Sequence, residues 1–131
     1  MREILFRGKR VSAGEWVYGS PIFQDGYVLI RFWNSEEFEY EEYLVIPESV
    51  TEFTGLTDKN GKKIFEGDVV KGLFLHSLPV NGLVTFRDGA FGLLWYRGET
   101  EMFWAFTSIC NVEYEIIGNI HDTPELLKGG E

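Results

Sequence analysis

Cysteine is nearly absent from this sequence, in which Cys110 stands alone among 131 residues. A single cysteine cannot form a disulfide within the chain or build a cysteine zinc cluster. A domain stabilised by internal disulfides and a domain stabilised by such a cluster are therefore both excluded. Long apolar runs are missing as well, and none approaches the roughly 20 residues that a membrane-spanning helix requires. The first residues place charges on both sides of three apolar residues, unlike a signal peptide. These absences predict a cytoplasmic protein with no membrane association.

Basic residues are also scarce. The sequence has 12 lysines and arginines against 21 aspartates and glutamates, and its net charge is −9. Nucleic acids and anionic lipids attract proteins through Lys and Arg, so this surplus of carboxylates disfavours non-specific binding to either. The plain interpretation of the charge is solubility. The sharper interpretation is an acidic face that meets a basic partner or mimics nucleic acid.

Aromatic residues, by contrast, are abundant at 16% of the chain. Aromatic and β-branched residues favour strands, and the pairs Asp25-Gly26 and Asp88-Gly89 each separate apolar runs in the manner of a β-hairpin turn. Helical patterns are almost missing, although Thr123–Leu127 has an N-cap candidate followed by proline and predicts a short C-terminal helical turn. The sequence therefore predicts a mostly β fold, either a small antiparallel barrel or a sandwich.

An acidic tract, Glu36–Glu42, interrupts this pattern. Phe38 and Tyr40 alternate there with carboxylates, which is typical of a half-exposed strand or hairpin edge but is also compatible with a mobile loop. Like charges on an edge also discourage edge-to-edge pairing between molecules. We place a seam after this tract and predict an N-terminal β region over residues 1–53 and a second region over 54–131, either separate or sharing one core.

The most distinctive stretch begins at Thr54 and reads TGLTDKNGKKIFEGDVV. It resembles the YopX family of phage and prophage proteins, which carry a stretch of the type TGL-D-NG--I-EGD-V. The matching positions are Thr54, Gly55, Leu56, Asp58, Asn60, Gly61, Ile64, Glu66, Gly67, Asp68 and Val70. The opening Arg2–Arg10 and the closing Glu115–Leu127 also resemble the family, so the likeness extends from end to end.

The resemblance implies a phage or prophage origin in a Gram-positive host and an SH3-like barrel in the C-terminal half. It implies no activity, because the family is functionally uncharacterised. The order of strands and turns agrees with a small five-stranded barrel: Glu66-Gly-Asp leads into the first strand, Gly82 begins the next, and Asp88-Gly89 makes a hairpin. We therefore expect an SH3-like barrel preceded by an N-terminal β-hairpin region.

Thiol chemistry is one possible activity to weigh. A cysteine nucleophile needs a base within hydrogen-bond reach, and Cys110 would have to find it in His76 or His121. Apolar residues flank Cys110, which favours a buried structural cysteine. The YopX family more usually has a Tyr-Glu-Asn type of sequence where His121-Asp-Thr stands here, which weakens a role for His121.

Carboxylates in the central stretch offer a second chemistry. Asp58, Glu66 and Asp68 are residue types that serve acid–base catalysis or bind hard metal ions. Both aspartates, however, stand where an aspartate caps the backbone of its own turn. We therefore predict a structural role for them and assign no catalytic residue, metal or cofactor. A hydrolase that uses Asp58 and Asp68 stays open as an alternative.

Lysines near the same stretch form a potential basic patch. Lys59, Lys62 and Lys63, with Lys71 further on, support a nucleic-acid-binding barrel as another alternative. A solvated turn face is the plainer interpretation of these lysines. If the segment binds anything, our candidate binding residues are Lys59, Lys62, Lys63 and Asp68.

The tryptophans complete the set of candidate residues: Trp16, Trp33, Trp95 and Trp104. Tryptophan stacks on sugars or bases in some proteins, but packing in a core or an interface accounts for it more simply. We therefore predict a non-enzymatic phage accessory protein that acts as an interaction module. We expect it to be homo-oligomeric, to bind an unidentified host or phage protein, and not to bind nucleic acid.

Overall fold

A computed structural model describes residues 3–74, 78–106 and 114–126. In these ranges the chain is mostly β, as predicted, with a short 3-10 helix at Pro47–Ser49. The chain divides into two compact units, Met1–Phe53 and Thr54–Glu131. Among the described residues, no helix has the length and apolar character needed to cross a membrane.

The first unit is an antiparallel sheet with the strand order β4-β3-β2-β1-β5. Its strands are β1 (Phe6–Lys9), β2 (Trp16–Gln24), β3 (Tyr27–Asn34), β4 (Glu39–Val45) and the start of β5 (Thr51–Thr57). Asp25 and Gly26, with φ angles of 40° and 88°, form the tight turn between β2 and β3. The predicted hairpin is therefore present, because both turn positions adopt the positive φ that Asp-Gly tolerates.

Alternation along β3 separates a buried face of this sheet from an exposed one. Val28 and Ile30 are buried on one side, where they form a small core with Val45 of β4. Phe6, Val17 and Val50 pack against that core. Side chains at every second position point the same way in a strand, so the intervening residues of β3 lie on the opposite face.

The second unit contains a five-stranded antiparallel sheet with the order β10-β9-β8-β7-β11. Its strands are β7 (Asp68–Phe74), β8 (Leu78–Arg87), β9 (Ala90–Arg97), β10 (Thr100–Ala105) and β11 (Glu115–Asn119). The short strand β6 (Lys63–Phe65) precedes them and pairs with β5. The core comprises Ile64, Val70, Val80, Val84, Leu93 and Trp95. Asp88 and Gly89 again form a tight positive-φ turn, between β8 and β9.

The structure corrects the predicted barrel, because the described strands form two antiparallel sheets that do not close on themselves. In the five-stranded sheet β10 and β11 stand at opposite edges. Turn residues report only which consecutive strands form hairpins, whereas closure depends on pairing between strands distant in sequence. The SH3-like arrangement is not confirmed. Nor is the C-terminal helical turn, since Leu127 lies outside the described residues and, within the described part Thr123–Leu126, only Leu126 is helical.

Candidate interaction surface

Asp58 shows how the central stretch uses its polar groups. One carboxylate oxygen, Oδ1, accepts hydrogen bonds from the backbone N–H groups of Asn60 and Lys62, both at 2.9 Å. The other, Oδ2, accepts one from the N–H of Ile116 in β11 at 3.1 Å. Gly61, at φ 82°, closes a tight turn by donating its N–H to the Asp58 carbonyl. Both oxygens of Asp58 are therefore engaged by the backbone.

The electrostatics of Asp58 follow from this arrangement. The side chain is buried, with 6% of its residue surface exposed, and burial by itself raises a carboxyl pKa. The N–H groups of Ile116, Lys62 and Asn60 and the Lys62 ammonium outweigh that effect, so the pKa of Asp58 lies below its ordinary value of 3.8. Asp58 is consequently an ionised structural group at neutral pH.

Asp68 holds the second turn in a similar way. Its Oδ2 accepts a hydrogen bond from the Phe65 N–H at 2.8 Å, and the residue is buried. Gly67 has a φ of 91°; its N–H donates to Val84 O and its carbonyl accepts from Ile120 N–H, each at 2.8 Å. The structure thus places both candidate aspartates in turns. No group of three metal-binding side chains forms among the residues it describes.

The three candidate lysines, Lys59, Lys62 and Lys63, are all exposed. Lys59 lies 3.6 Å from Glu115, measured from Nζ to Oε1, and Glu115 is also the strand partner of Lys71. A carboxylate between lysines lowers the positive potential that a phosphate would meet. The basic patch is therefore partly neutralised by its own surroundings.

The residues proposed for thiol chemistry are not assembled by the described structure. Cys110 and His76 lie outside the described residues. His121 belongs to a turn in which its backbone N–H donates to Asn119 Oδ1 at 3.0 Å. The thiol hypothesis stays a prediction.

The acidic tract forms the turn between β3 and β4 and the beginning of β4. Asn34 Oδ1 accepts hydrogen bonds from the N–H groups of Glu36 and Glu37 at 3.0 and 3.2 Å. The Asn34 side-chain amide in turn donates to Glu41. Of the two interpretations left open by the sequence, the hairpin edge is the one present. Asparagine suits this position because its side chain can replace a backbone acceptor in a turn.

An aromatic cluster covers the exposed face of this hairpin. Trp33 and Tyr40 are direct strand partners with ring centroids 5.0 Å apart, and the Phe38 ring lies 5.6 Å from that of Trp33, both edge-on. Their exposed fractions are 47%, 58% and 81% for Trp33, Tyr40 and Phe38. Leu44 is exposed on the same face. We call Trp33, Phe38, Tyr40 and Leu44 the aromatic face.

Phe38 adopts an unusual backbone conformation, with a φ of 58°. The left-handed region costs a bulky residue about 1–2 kcal/mol, whereas glycine tolerates it. Phe38 also exposes most of its ring to water. Residues held in sparsely populated backbone conformations cluster at functional sites. Stability alone therefore does not explain phenylalanine at this position.

The other tryptophans support packing rather than recognition. Trp95 is buried in the core of the second unit and Trp104 packs against that core. The Arg7 guanidinium lies over the Trp16 ring, with its Cζ atom 4.6 Å from the ring centroid. The sequence did not single out Trp33, Phe38 and Tyr40 as one surface. Their alternation with glutamates was the available signal, but their register depends on the hairpin turn at Asn34.

Together the antiparallel sheets and the exposed aromatic hairpin define a mostly β protein with exposed aromatic side chains on one hairpin. The family model described as YopX protein matches residues 5–128. The chain therefore belongs to the YopX family, which confirms the resemblance seen in its motifs. A crystal structure of protein EF1440 from Enterococcus faecalis is similar at 21% identity and a TM-score of 0.46, over 97% of this chain and 99% of that one. A search of curated proteins found no match.

Replacing Asp58 by asparagine tests its structural role. In Asp58→Asn one end of the side chain becomes a donor that faces a backbone N–H, so we expect a loss of about 1–3 kcal/mol in the free energy of unfolding at pH 7. The lowered pKa of Asp58 stabilises the fold above the ordinary value of 3.8, and that contribution disappears as pH falls through the folded pKa. The difference between wild type and variant should therefore shrink below about pH 4.

Urea unfolding followed by fluorescence from pH 7 to pH 2 measures both effects. Asp25→Asn, in an exposed turn that accepts asparagine equally well, is the control and should change stability by less than about 0.5 kcal/mol. An Asp58→Asn variant as stable as wild type at pH 7 would contradict the assigned role.

Replacing Phe38 by glycine separates stability from function. Phe38→Gly relieves the left-handed strain, so we expect an unfolding free energy equal to wild type or higher by up to about 1 kcal/mol, despite the lost contact with Trp33. Phe23→Ala, another exposed phenylalanine but one in a strand, serves as the control. A Phe38→Gly loss of more than about 1 kcal/mol would show instead that Phe38 is a packing residue.

Proposed function

We propose that this YopX-family chain is a non-enzymatic interaction module that binds a protein partner through the aromatic face. The observation that carries the proposal is Phe38, a bulky residue held in the left-handed region with 81% of its surface exposed. Trp33 and Tyr40 extend the same exposed surface, and tryptophan and tyrosine are the residue types most enriched at binding hot spots. The arrangement is explained by contact with another molecule.

The engagement of the two candidate aspartates supports a non-enzymatic role. A general base needs an oxygen that can reach a substrate proton. Asp58 instead accepts three backbone hydrogen bonds, and Asp68 is buried against Phe65 N–H. A hydrolase built on these carboxylates has less support than a binding role. A nucleic-acid-binding role also has less support, because Glu115 lies against Lys59 and the net charge is −9.

We also propose an origin, a compartment and an oligomeric state for the protein. Family membership supports a phage or prophage origin, and the composition favours the bacterial cytoplasm as its compartment. We propose a homo-oligomer as well, since large apolar side chains are exposed outside the aromatic face too, for example Leu73, Phe86 and Tyr96. The partner is a host or phage protein.

Loss of the aromatic face should abolish partner binding. In a crosslinked pull-down from the bacterium that carries the protein, we expect Trp33→Ala/Tyr40→Ala to recover the partner about tenfold less than wild type, because hot-spot aromatics dominate binding energy. Phe86→Ala removes an equally exposed ring of the second unit and should bind normally. Equal recovery by all three proteins, or nothing above background for wild type, would contradict the proposal.

The oligomer has its own test. Multi-angle light scattering at about micromolar concentration should give a mass that is a multiple of the 15.1 kDa chain. The aromatic-face double variant is expected to keep that mass, because we place self-association outside this face. A monomeric mass for wild type would contradict the homo-oligomer and leave the partner-binding proposal intact.

A further inference from the structure

We infer that the partner segment bound by the aromatic face is basic: an extended stretch of Lys and Arg side chains from another protein. This inference rests on the proposed function and names the chemistry of its partner. It combines the exposed rings with the charge around them and with an open strand edge beside them.

The acidic tract, which contributes Phe38 and Tyr40 to the aromatic face, carries charge of one sign, and the cation on the same face is Arg31 of β3. Residues 36–42 contain five glutamates and no lysine or arginine. Glu41 contacts Asn34 and Tyr43, and Glu42 faces Arg31 at 3.8 Å. The other three, Glu36, Glu37 and Glu39, are exposed and have no side-chain partner among the described residues. Three carboxylates of the tract are therefore available within a few residues of Phe38 and Tyr40, although Glu39, at the start of β4, lies on the opposite face of the strand from Tyr40.

The hairpin already shows the contact that we propose. The guanidinium of Arg31 lies over the Tyr40 ring, 4.2 Å from its centroid, while its Nη1 atom faces Glu42. A ring face combined with a carboxylate is the environment that holds an Arg or Lys side chain by cation–π and ionic attraction together. Trp33, the best aromatic type for this interaction, and Phe38 offer further rings in the hairpin that carries Glu36, Glu37 and Glu39.

The strand edge explains why the segment would be extended. β4 stands at one edge of the sheet in the first unit. Among the described residues its outer side is paired only at its end, where Val11 N–H donates to Leu44 O and Ile46 N–H to Lys9 O. An extended peptide can add to such an edge through its backbone and place alternate side chains on the aromatic face.

The negative charge of the tract also disfavours nucleic acid, an anionic membrane or a second copy of the chain as the ligand of the aromatic face. Nucleic acids and anionic membranes carry negative charge and would be repelled by the same glutamates. A second copy that met this face symmetrically would bring two acidic tracts together, which costs free energy. A basic protein segment is the occupant whose charge complements the surface.

A peptide titration of the full chain tests the inference. The probe is an arginine–threonine repeat of about ten residues, compared with a glutamine–threonine repeat of equal length. In amide NMR spectra the basic peptide should shift the Trp33 indole N–H and the backbone N–H groups of Glu39–Tyr43. Binding should weaken as salt rises from about 50 to about 300 mM, since ionic contacts are screened. The neutral peptide should leave these signals unchanged.

Charge-removal variants complete the test. Glu36→Gln/Glu37→Gln/Glu39→Gln should weaken binding of the basic peptide about tenfold, whereas Glu48→Gln/Glu99→Gln/Glu125→Gln removes the same charge elsewhere and should not. Equal binding of both peptides, or equal weakening by both triple variants, would overturn the inference. So would salt-insensitive pull-down of a partner that still requires Trp33 and Tyr40. That result would leave the proposed function standing.

Two further outcomes identify a different occupant. If Trp33→Ala/Tyr40→Ala converts an oligomer into a monomer, the face binds a second copy and the inference is wrong. If a short single-stranded DNA shifts the Trp33 indole signal, the inference is likewise wrong.

Discussion

The hydrogen bonds accepted by the buried Asp58 carboxylate are the constraint that joins the central stretch to β11 in the second unit. An ionised group is stable away from water only where donors replace its hydration, and here three backbone N–H groups do so. Two of them shape the Asn60-Gly61 turn, while the third belongs to Ile116 in β11. One side chain thus connects a local turn to a strand that lies 58 residues further along the chain. The motif most characteristic of the family is, in this structure, an architectural one.

Polar chemistry and exposed surface are divided between different parts of the chain. In the central stretch, the polar groups of Asp58, Gly67 and Asp68 form hydrogen bonds with backbone groups that hold turns in place. In the β3–β4 hairpin, Phe38 and Trp33 remain exposed, and Phe38 carries backbone strain as well. Proteins retain such unfavourable features where function requires them, since mutations that only destabilise tend to be lost. This contrast is the reason to look for function in the hairpin and for stability in the motif.

Much of the local structure was predictable because its causes are local. Asp25-Gly26 and Asp88-Gly89 both form hairpin turns, since these residue types tolerate positive φ, and the predicted capping of its own turn by Asp58 is present as well. The prediction of a closed barrel was wrong because sheet closure depends on pairing between strands distant in sequence. The aromatic face was only partly predictable from the sequence. Alternation in the acidic tract indicated a hairpin edge, but a propensity argument cannot show that Phe38 would adopt a left-handed conformation.

The sequence by itself determined the β character, the acidic balance, the tight turns and membership of the YopX family. These follow from composition and from short patterns whose physical basis lies within a few residues. The tertiary structure decided which tryptophan is exposed: Trp95 is buried in a core, while Trp33 faces outward beside Tyr40 and the glutamates. Burial depends on which strands pack together, and that packing is a long-range property that no short stretch of sequence contains.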